Sequence, residues 1–249
     1  QERPYRKDAW RKRGLKNKHK EMRAELERAE EEGQWTWKLG RFQDHISDLQ
    51  DESVSLLLTD PPYGVDFKSN HNSKDLRTLE GDNHTAPDLL RQSLNASSPK
   101  LKQNAHLLVF THWRTEEATR QVIKGAGFEI RGSLIWAKEE YGLGDLKGSF
   151  APAHERIIHA VKGNPTLTRR RKDVLHAKKV KSNHHPTEKP VDLLCTLIEA
   201  TTVEGELVVD LFGGVASTLR AAVSTGRRAW GCEIEEDYHS KGKSNLQKL

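Results

Sequence analysis

Two short apolar runs, "VSLLLTD" at 54–60 and "ELVVDLFGG" at 206–214, constrain the fold more than any other feature. Each is continuous rather than alternating, so a strand built from it is buried on both faces, as in a parallel sheet covered by helices. Further strand-like runs lie at 35–40, 106–112, 128–139, 155–163 and 228–234. Helical spacing marks 114–125, 190–201, 215–226 and 236–248, with Pro190 suited to a first turn, and "DHISDLQ" reads as a short helix. Strands alternating with helices predict an α/β domain with a mainly parallel sheet.

The domain is expected to span 35–249, behind a charged helical extension at 1–34. Residues 1–20 carry nine Lys/Arg against two acids, and 21–32 reverse this with six Glu. The chain is 31% charged and has a formal net charge of +5. A second basic block runs from Lys162 to Lys181 and includes Arg169, Arg170, Arg171, Lys172, Lys178 and Lys179. Such patches suit a polyanion, and they equally suit a solvated face or tail. No run reaches the ~20 apolar residues that cross a bilayer, and no signal-peptide pattern opens the sequence, so an intracellular protein without membrane contact is expected. Cys195 and Cys232 stand far apart in apolar contexts and read as small buried hydrophobes. The stretches 66–86 and 164–184 lack periodicity and read as surface loops.

"VVDLFGGVAST" places Asp210 at a strand end, followed by glycines and a helix. Glycines admit close backbone approach to a ligand, and a helix N-terminus offers free N–H groups. Glu233 ends the next strand 23 residues on, the spacing at which an acid holds ribose hydroxyls. The same turn also fits simple close packing. The dinucleotide pattern G-x-G-x-x-G is absent, which argues against a nicotinamide cofactor.

"DPPYG" at 60–64 closes the first apolar run. A tight turn explains the prolines and the glycine, but it does not require Asp60 or Tyr63. The exocyclic amine of a nucleobase does. Its lone pair is delocalised into the ring, so two acceptors on its hydrogens, a carboxylate and a backbone carbonyl, favour a more tetrahedral nitrogen. The carboxylate also opposes the positive charge that appears as nitrogen attacks a methyl group. Pro61 and Pro62 fix the carbonyl direction without a competing N–H, and Tyr63 stacks on the base.

With these motifs the sequence resembles the S-adenosylmethionine-dependent amino-group DNA methyltransferases. "DPPYG" is similar to their catalytic motif, "DLFGGVAST" to their cofactor loop, and "HPTEKP" at 185–190 to the segment before that loop. Catalytic motif first and cofactor loop last is the permuted order of the β group. The resemblance covers about Trp35 to Leu246. It implies a Rossmann-like domain with a seven-stranded sheet, and S-adenosyl-L-methionine as cofactor. Asp60 and the Pro61 carbonyl would hold the target amine, followed by Pro62 and with Tyr63 on the base. Asp210, Phe212, Gly213, Gly214, Ser217 and Thr218 would wall the cofactor's methionine half and Glu233 its ribose. Thr187 and Lys189 would line its other edge. No metal is called for, so the histidines at 71, 84, 184 and 185 read as loop polar groups. Asp before Pro-Pro-Tyr is typical of adenine-N6 enzymes, whereas Ser is commoner in cytosine-N4 enzymes and Asn in protein glutamine methyltransferases.

Two positions depart from the family pattern. Ala216 stands where the loop F-x-G-x-G has its second glycine, a place where a methyl group is tolerated at negative φ. Arg41 replaces the acid that often follows Gly40. The expected substrate is DNA with a flipped-out adenine, because a base inside a duplex is out of reach. Cytosine-N4 and RNA adenine remain alternatives, as does a nucleic-acid-binding module without methyl transfer. The loop 66–86 would clamp the base, and Arg169–Lys172, Lys178 and Lys179 would track phosphates. The interval before "HPTEKP" leaves room only for a compact recognition element. Further recognition would come from a second copy of the chain, a partner subunit or another domain.

Overall fold

A computed structural model describes residues 33–63, 86–140, 147, 148, 150–180 and 188–247. Most of the expected N-terminal extension, most of the loop 66–86, and Thr187 lie outside these residues.

The first strand, β1 (Trp35–Leu39), leads into α1 (Phe42–His45) and a 3-10 turn (Ile46–Asp48). Then come β2 (Val54–Thr59), α2 (Ala86–Ser97), β3 (Leu101–Thr111), α3 (Glu116–Gly125), β4 (Glu129–Ala137) and β5 (His154–Lys162). The chain continues through β6 (Val174–His176), α4 (Val191–Thr201), β7 (Leu207–Asp210), α5 (Ser217–Ser224), β8 (Arg228–Glu233) and α6 (Glu236–Gln247). All strands join one sheet in the order β1-β8-β7-β2-β3-β5-β4-β6. Only β5 runs antiparallel to its neighbours β3 and β4. The sheet has eight strands rather than the expected seven. The addition is β6, three residues within the basic stretch read as loop, which pair with Ile135–Ala137 at the edge of β4.

Strand β2 shows why the continuous apolar run folds as it does. Leu56 and Leu58 face α4, α5 and α6 through one core cluster, while Leu57 faces α1, α2 and α3 through the other. Each fully buried leucine is worth about 1.5–3 kcal/mol relative to exposure. The helix α2 was not foreseen. Its buried face is Ala86, Leu90 and Leu94 together with Ser93 and Ser97, and Leu89 and Ala96 pack beside it half-buried. Both serine hydroxyls donate to carbonyls one turn back, at 2.8 and 3.2 Å, so the polar side chains enter the core already satisfied.

Strand order reverses between β7 and β2. The connection from β7 passes through α5 to β8 on one side, and that from β2 leads to β3 on the other. Such a reversal opens a crevice beyond the carboxyl ends of the two strands, the usual ligand position in open α/β sheets. Both motifs identified in the sequence emerge there.

Candidate active site

Strand β2 ends at Thr59, and Asp60 is the next residue. Pro61 is buried, while Asp60, Pro62 and Tyr63 are half-buried. The Tyr63 hydroxyl donates to Asp60 Oδ1. Lys189 Nζ donates to Asp60 Oδ2. Lys189 is buried, immediately before the Pro190 that opens α4, and its ammonium lies 5.0 Å over the Phe110 ring. It also sits 3.4 Å from Glu155 Oε2, and Glu155 Oε1 accepts from Lys138 Nζ at 2.5 Å. Four alternating charges therefore run from Asp60 through Lys189 and Glu155 to Lys138.

Burial pushes the Asp60 carboxyl above its usual range, Lys189 opposes that rise, and Glu155 adds to it. Burial alone would lower Lys189, but Asp60 and Glu155 together hold it above the ordinary lysine value. Burial would likewise raise Glu155, yet Lys189 and Lys138 keep it below the ordinary value. The chain of charges thus keeps Lys189 as a cation against Asp60. The resemblance implies Lys189 at the cofactor's edge; in space its ammonium contacts Asp60. Glu155 and Lys138 carried no sequence signal, because their partners lie on other elements.

On the neighbouring strand, Asp210 Oδ1 accepts from Thr59 Oγ1 at 3.0 Å and from Phe212 N–H at 3.1 Å. Burial pushes Asp210 up to about 6, with the Thr218 hydroxyl opposing the shift. Glu233 ends β8. Its Oε2 accepts from Gly214 N–H at 2.7 Å and its Oε1 from Glu235 N–H at 2.9 Å, while burial pushes it up to about 7. Gly213 N–H donates to the Cys232 carbonyl at 2.9 Å, which presses the loop onto β8. A Cβ on Gly213 would stand 2.5 Å from Trp37 Cζ3, so a side chain is excluded there. Trp37 is fixed in turn, stacked on His239 at 5.4 Å and donating to the His239 carbonyl at 3.0 Å. Phe212 meets Phe42 edge-on at 5.7 Å. Ser217 and Thr218 form the buried first turn of α5, and Ser217 Oγ lies 3.5 Å from Glu188 of the "HPTEKP" segment.

Ala216 takes φ 63° and ψ 29°, so the condition of negative φ is not met. A left-handed non-glycine residue costs about 1–2 kcal/mol. Here it coincides with complete burial, and the methyl group packs in the core between the sheet and α5. Arg41 precedes α1 in extended conformation without a side-chain cap to that helix.

The basic residues divide into two groups. Arg169 and Arg171 lie 3.7 and 3.4 Å from Glu199, and Thr168 N–H donates to the Ala200 carbonyl, all at the far end of α4. Glu199 is ten residues beyond Lys189, about 15 Å along the helix. Arg169–Lys172 therefore sit at the opposite edge of the sheet from Asp60. Strand β6 then carries the chain back, and Lys178 pairs with Glu139 at 3.1 Å beside the carboxyl end of β4, with Lys179 exposed next to it.

Comparison with known proteins matches residues 54–244 to the N6/N4 methyltransferase family described as DNA methylase. The chain is 35% identical over 195 residues to the putative methylase YubD of Escherichia coli (strain K12), covering 78% of this chain and 82% of that protein. It is 24% identical over 229 residues to the type II methyltransferase M2.DpnII of Streptococcus pneumoniae, covering 81% and 85% respectively. Among solved structures, the M1.HpyAVI–SAM complex shares the fold with a TM-score of 0.66 at 21% identity, over 85% of this chain and 99% of that one. The cytosine-N4-specific PvuII DNA methyltransferase gives a TM-score of 0.70 at 19% identity, over 86% of each chain.

Proposed function

The chain belongs to the N6/N4 DNA methylase family, and we propose that within it the base modified is adenine, at N6. It is an S-adenosylmethionine-dependent DNA methyltransferase. The observation that carries the adenine reading is Asp60 itself, an acid at the head of Pro-Pro-Tyr held by a buried lysine.

S-adenosylmethionine, when bound, supplies a methyl group on a cationic sulfonium. The crevice suits it. Asp210 and Glu233 are buried acids at adjacent strand ends, and each carboxylate retains acceptor capacity beyond its present hydrogen bonds. Between them Gly213 packs against the Trp37 ring too closely for a side chain. The target amine then gives its hydrogens to Asp60 and to the Pro61 carbonyl. It competes with the Tyr63 hydroxyl for Oδ1, so base entry releases the tyrosine ring to stack. Lys189 favours the ionised form of Asp60, and that carboxylate opposes the charge growing on nitrogen.

Because Asp210 and Glu233 titrate near about 6 and 7, cofactor affinity depends on pH. Ribose hydroxyls and a cationic ligand favour the ionised acids, so binding releases protons below these values. Affinity for S-adenosylmethionine is expected to rise at least about tenfold from pH 5 to 7 and to level above 8. Calorimetry in buffers of different ionisation enthalpy reads both the affinity and the proton release. A pH-independent affinity would separate these acids from the cofactor.

Phosphate contacts belong with Lys178 and Lys179, which share the catalytic edge. Replacing both with alanine is expected to lower the salt slope of DNA binding by up to roughly 1.8, at ~0.9 per phosphate neutralised. Neutralising Arg169–Lys172 is expected to change it less. The reverse ranking would place DNA against the far edge of the sheet.

The reaction itself is tested by incubation with S-adenosylmethionine and unmethylated DNA, digestion to nucleosides and mass analysis. N6-methyladenine is the expected product. N4-methylcytosine would move the base assignment, and no methylated nucleoside would overturn the reading.

A further inference from the structure

We propose that Trp113, on the turn after β3, is a nucleobase-stacking residue that holds the DNA strand beside the target nucleotide. The proposal rests on the DNA methyltransferase reading above and adds a surface to it.

Trp113 is 61% exposed and belongs to neither core cluster, so the fold makes little use of its ring. Its backbone is nonetheless tightly held. Thr115 N–H and its hydroxyl both donate to the His112 carbonyl, at 3.0 and 3.3 Å, and Arg114 N–H donates to His112 Nδ1 at 3.3 Å. A rigid turn thus projects a large flat ring into solvent, which is the low-entropy arrangement that aromatic recognition surfaces use.

Position supplies the partner. The turn leaves the carboxyl end of β3, the strand beside β2, so it flanks the catalytic motif. The rings follow one another, with Tyr63 6.5 Å from His112 and His112 5.8 Å from Trp113. Each step is close to two base-stacking rises of about 3.4 Å, so a strand whose base reaches Tyr63 passes Trp113 within a few nucleotides. Arg114 lies 5.2 Å over the indole and adds a cation to the same surface. The nearby acids are already engaged: Glu116 pairs with Arg156 at 2.8 Å, and Glu117 accepts from Gln121 at 2.6 Å. Among the described residues the large exposed aromatics are Trp113 and Phe150. Both are at this edge of the sheet, since Phe150 shortly precedes the start of antiparallel β5. Stray exposed apolar residues are common on protein surfaces. An indole stacked with a guanidinium beside the reacting base is the arrangement that grips single-stranded nucleic acid.

The test compares the whole chain with Trp113→Ala, Trp113→Phe and, as control, Val203→Ala, an exposed apolar residue at the far edge of the sheet. Two readouts are taken: KM and kcat for methyl transfer to unmethylated plasmid DNA, and quenching of tryptophan fluorescence by random-sequence single-stranded oligonucleotides. Trp113→Ala is expected to raise the KM for DNA by roughly 5- to 150-fold, the range found for removing one base-stacking ring, with S-adenosylmethionine affinity unchanged. Trp113→Phe should return to within a few-fold of the parent, Val203→Ala should match it, and the oligonucleotide quench should vanish with the indole. An unchanged KM in Trp113→Ala overturns the proposal while the methyltransferase reading stands. If the parent protein methylates no DNA, that reading falls. The proposal is then decided by fluorescence alone, upheld by a quench that Trp113→Ala abolishes and overturned by its absence.

Discussion

Asp60→Ala is expected to lower methyl transfer by at least about 10²–10³-fold while leaving the fold and cofactor binding in place. The magnitude is that of removing one preorganised group from the site where charge develops. Two features make the effect specific. Asp60 is half-buried at a strand end rather than packed in the core, so its loss opens little space. Lys189 is not orphaned by the change, because Glu155 remains 3.4 Å from its ammonium. Turnover on DNA, affinity for S-adenosylmethionine and the unfolding temperature are measured on the same preparation. Near-parental turnover would remove Asp60 from the chemistry, and a large drop in unfolding temperature would make it a structural residue.

Lys189→Met has the larger effect on stability. Methionine approximates the buried stem but deletes the charge between two carboxylates. Breaking a buried pair in this way costs about 3–5 kcal/mol. Asp60, already raised by burial, then loses the cation that opposes the rise, while Glu155 keeps Lys138. A carboxyl with a raised folded pKa binds more protons in the native state than in the unfolded chain, so its effect is to make stability fall as pH rises. The deficit of Lys189→Met should therefore be smallest near pH 4–5, at the bottom of the ordinary carboxylate titration, and largest at pH 8. Urea unfolding at both values decides it. An equal deficit at both would assign the loss to packing, and adding Glu155→Gln should recover part of it at pH 8 alone. Methyl transfer should show the opposite trend, with the larger loss relative to the parent at low pH, because a protonated Asp60 cannot oppose positive charge.

The strands that hold the site were legible because burial on both faces leaves little room for polar residues, and the two in β2, Ser55 and Thr59, donate to Glu206 and Asp210. Strands β2 and β7 carry continuous apolar runs; Asp60 directly follows β2 and Asp210 ends β7. The opposite holds for α2, where Ser93 and Ser97 are buried but bond to their own helix, so polarity in sequence does not mean exposure in space. Strand β6 is three residues long and pairs on one side only, too little for any periodicity. Within the site, local spacing was enough to single out Asp60 and the glycine loop, which the structure brings to the same end of the sheet. The Lys138–Glu155–Lys189 chain joins β4, β5 and the start of α4. It has no spacing to detect, because the pairings exist only once those elements dock. The conformation of Ala216 was equally hidden, since residue type alone does not fix φ.

The pairing of β1 with β8 has a consequence for how the protein comes into being. Among the described residues, the first strand finds its sole neighbour in the last strand. The Trp37–His239 hydrogen bond spans 202 residues. On a ribosome adding about 5–20 residues per second, β1 waits roughly 10–40 s before its partner exists. For most of that interval the nascent chain carries Asp60 but lacks the glycine loop after β7 and the acid of β8. Translation therefore delivers the first acid of the crevice long before Asp210 and Glu233, and the crevice is complete only as the final strand is laid down.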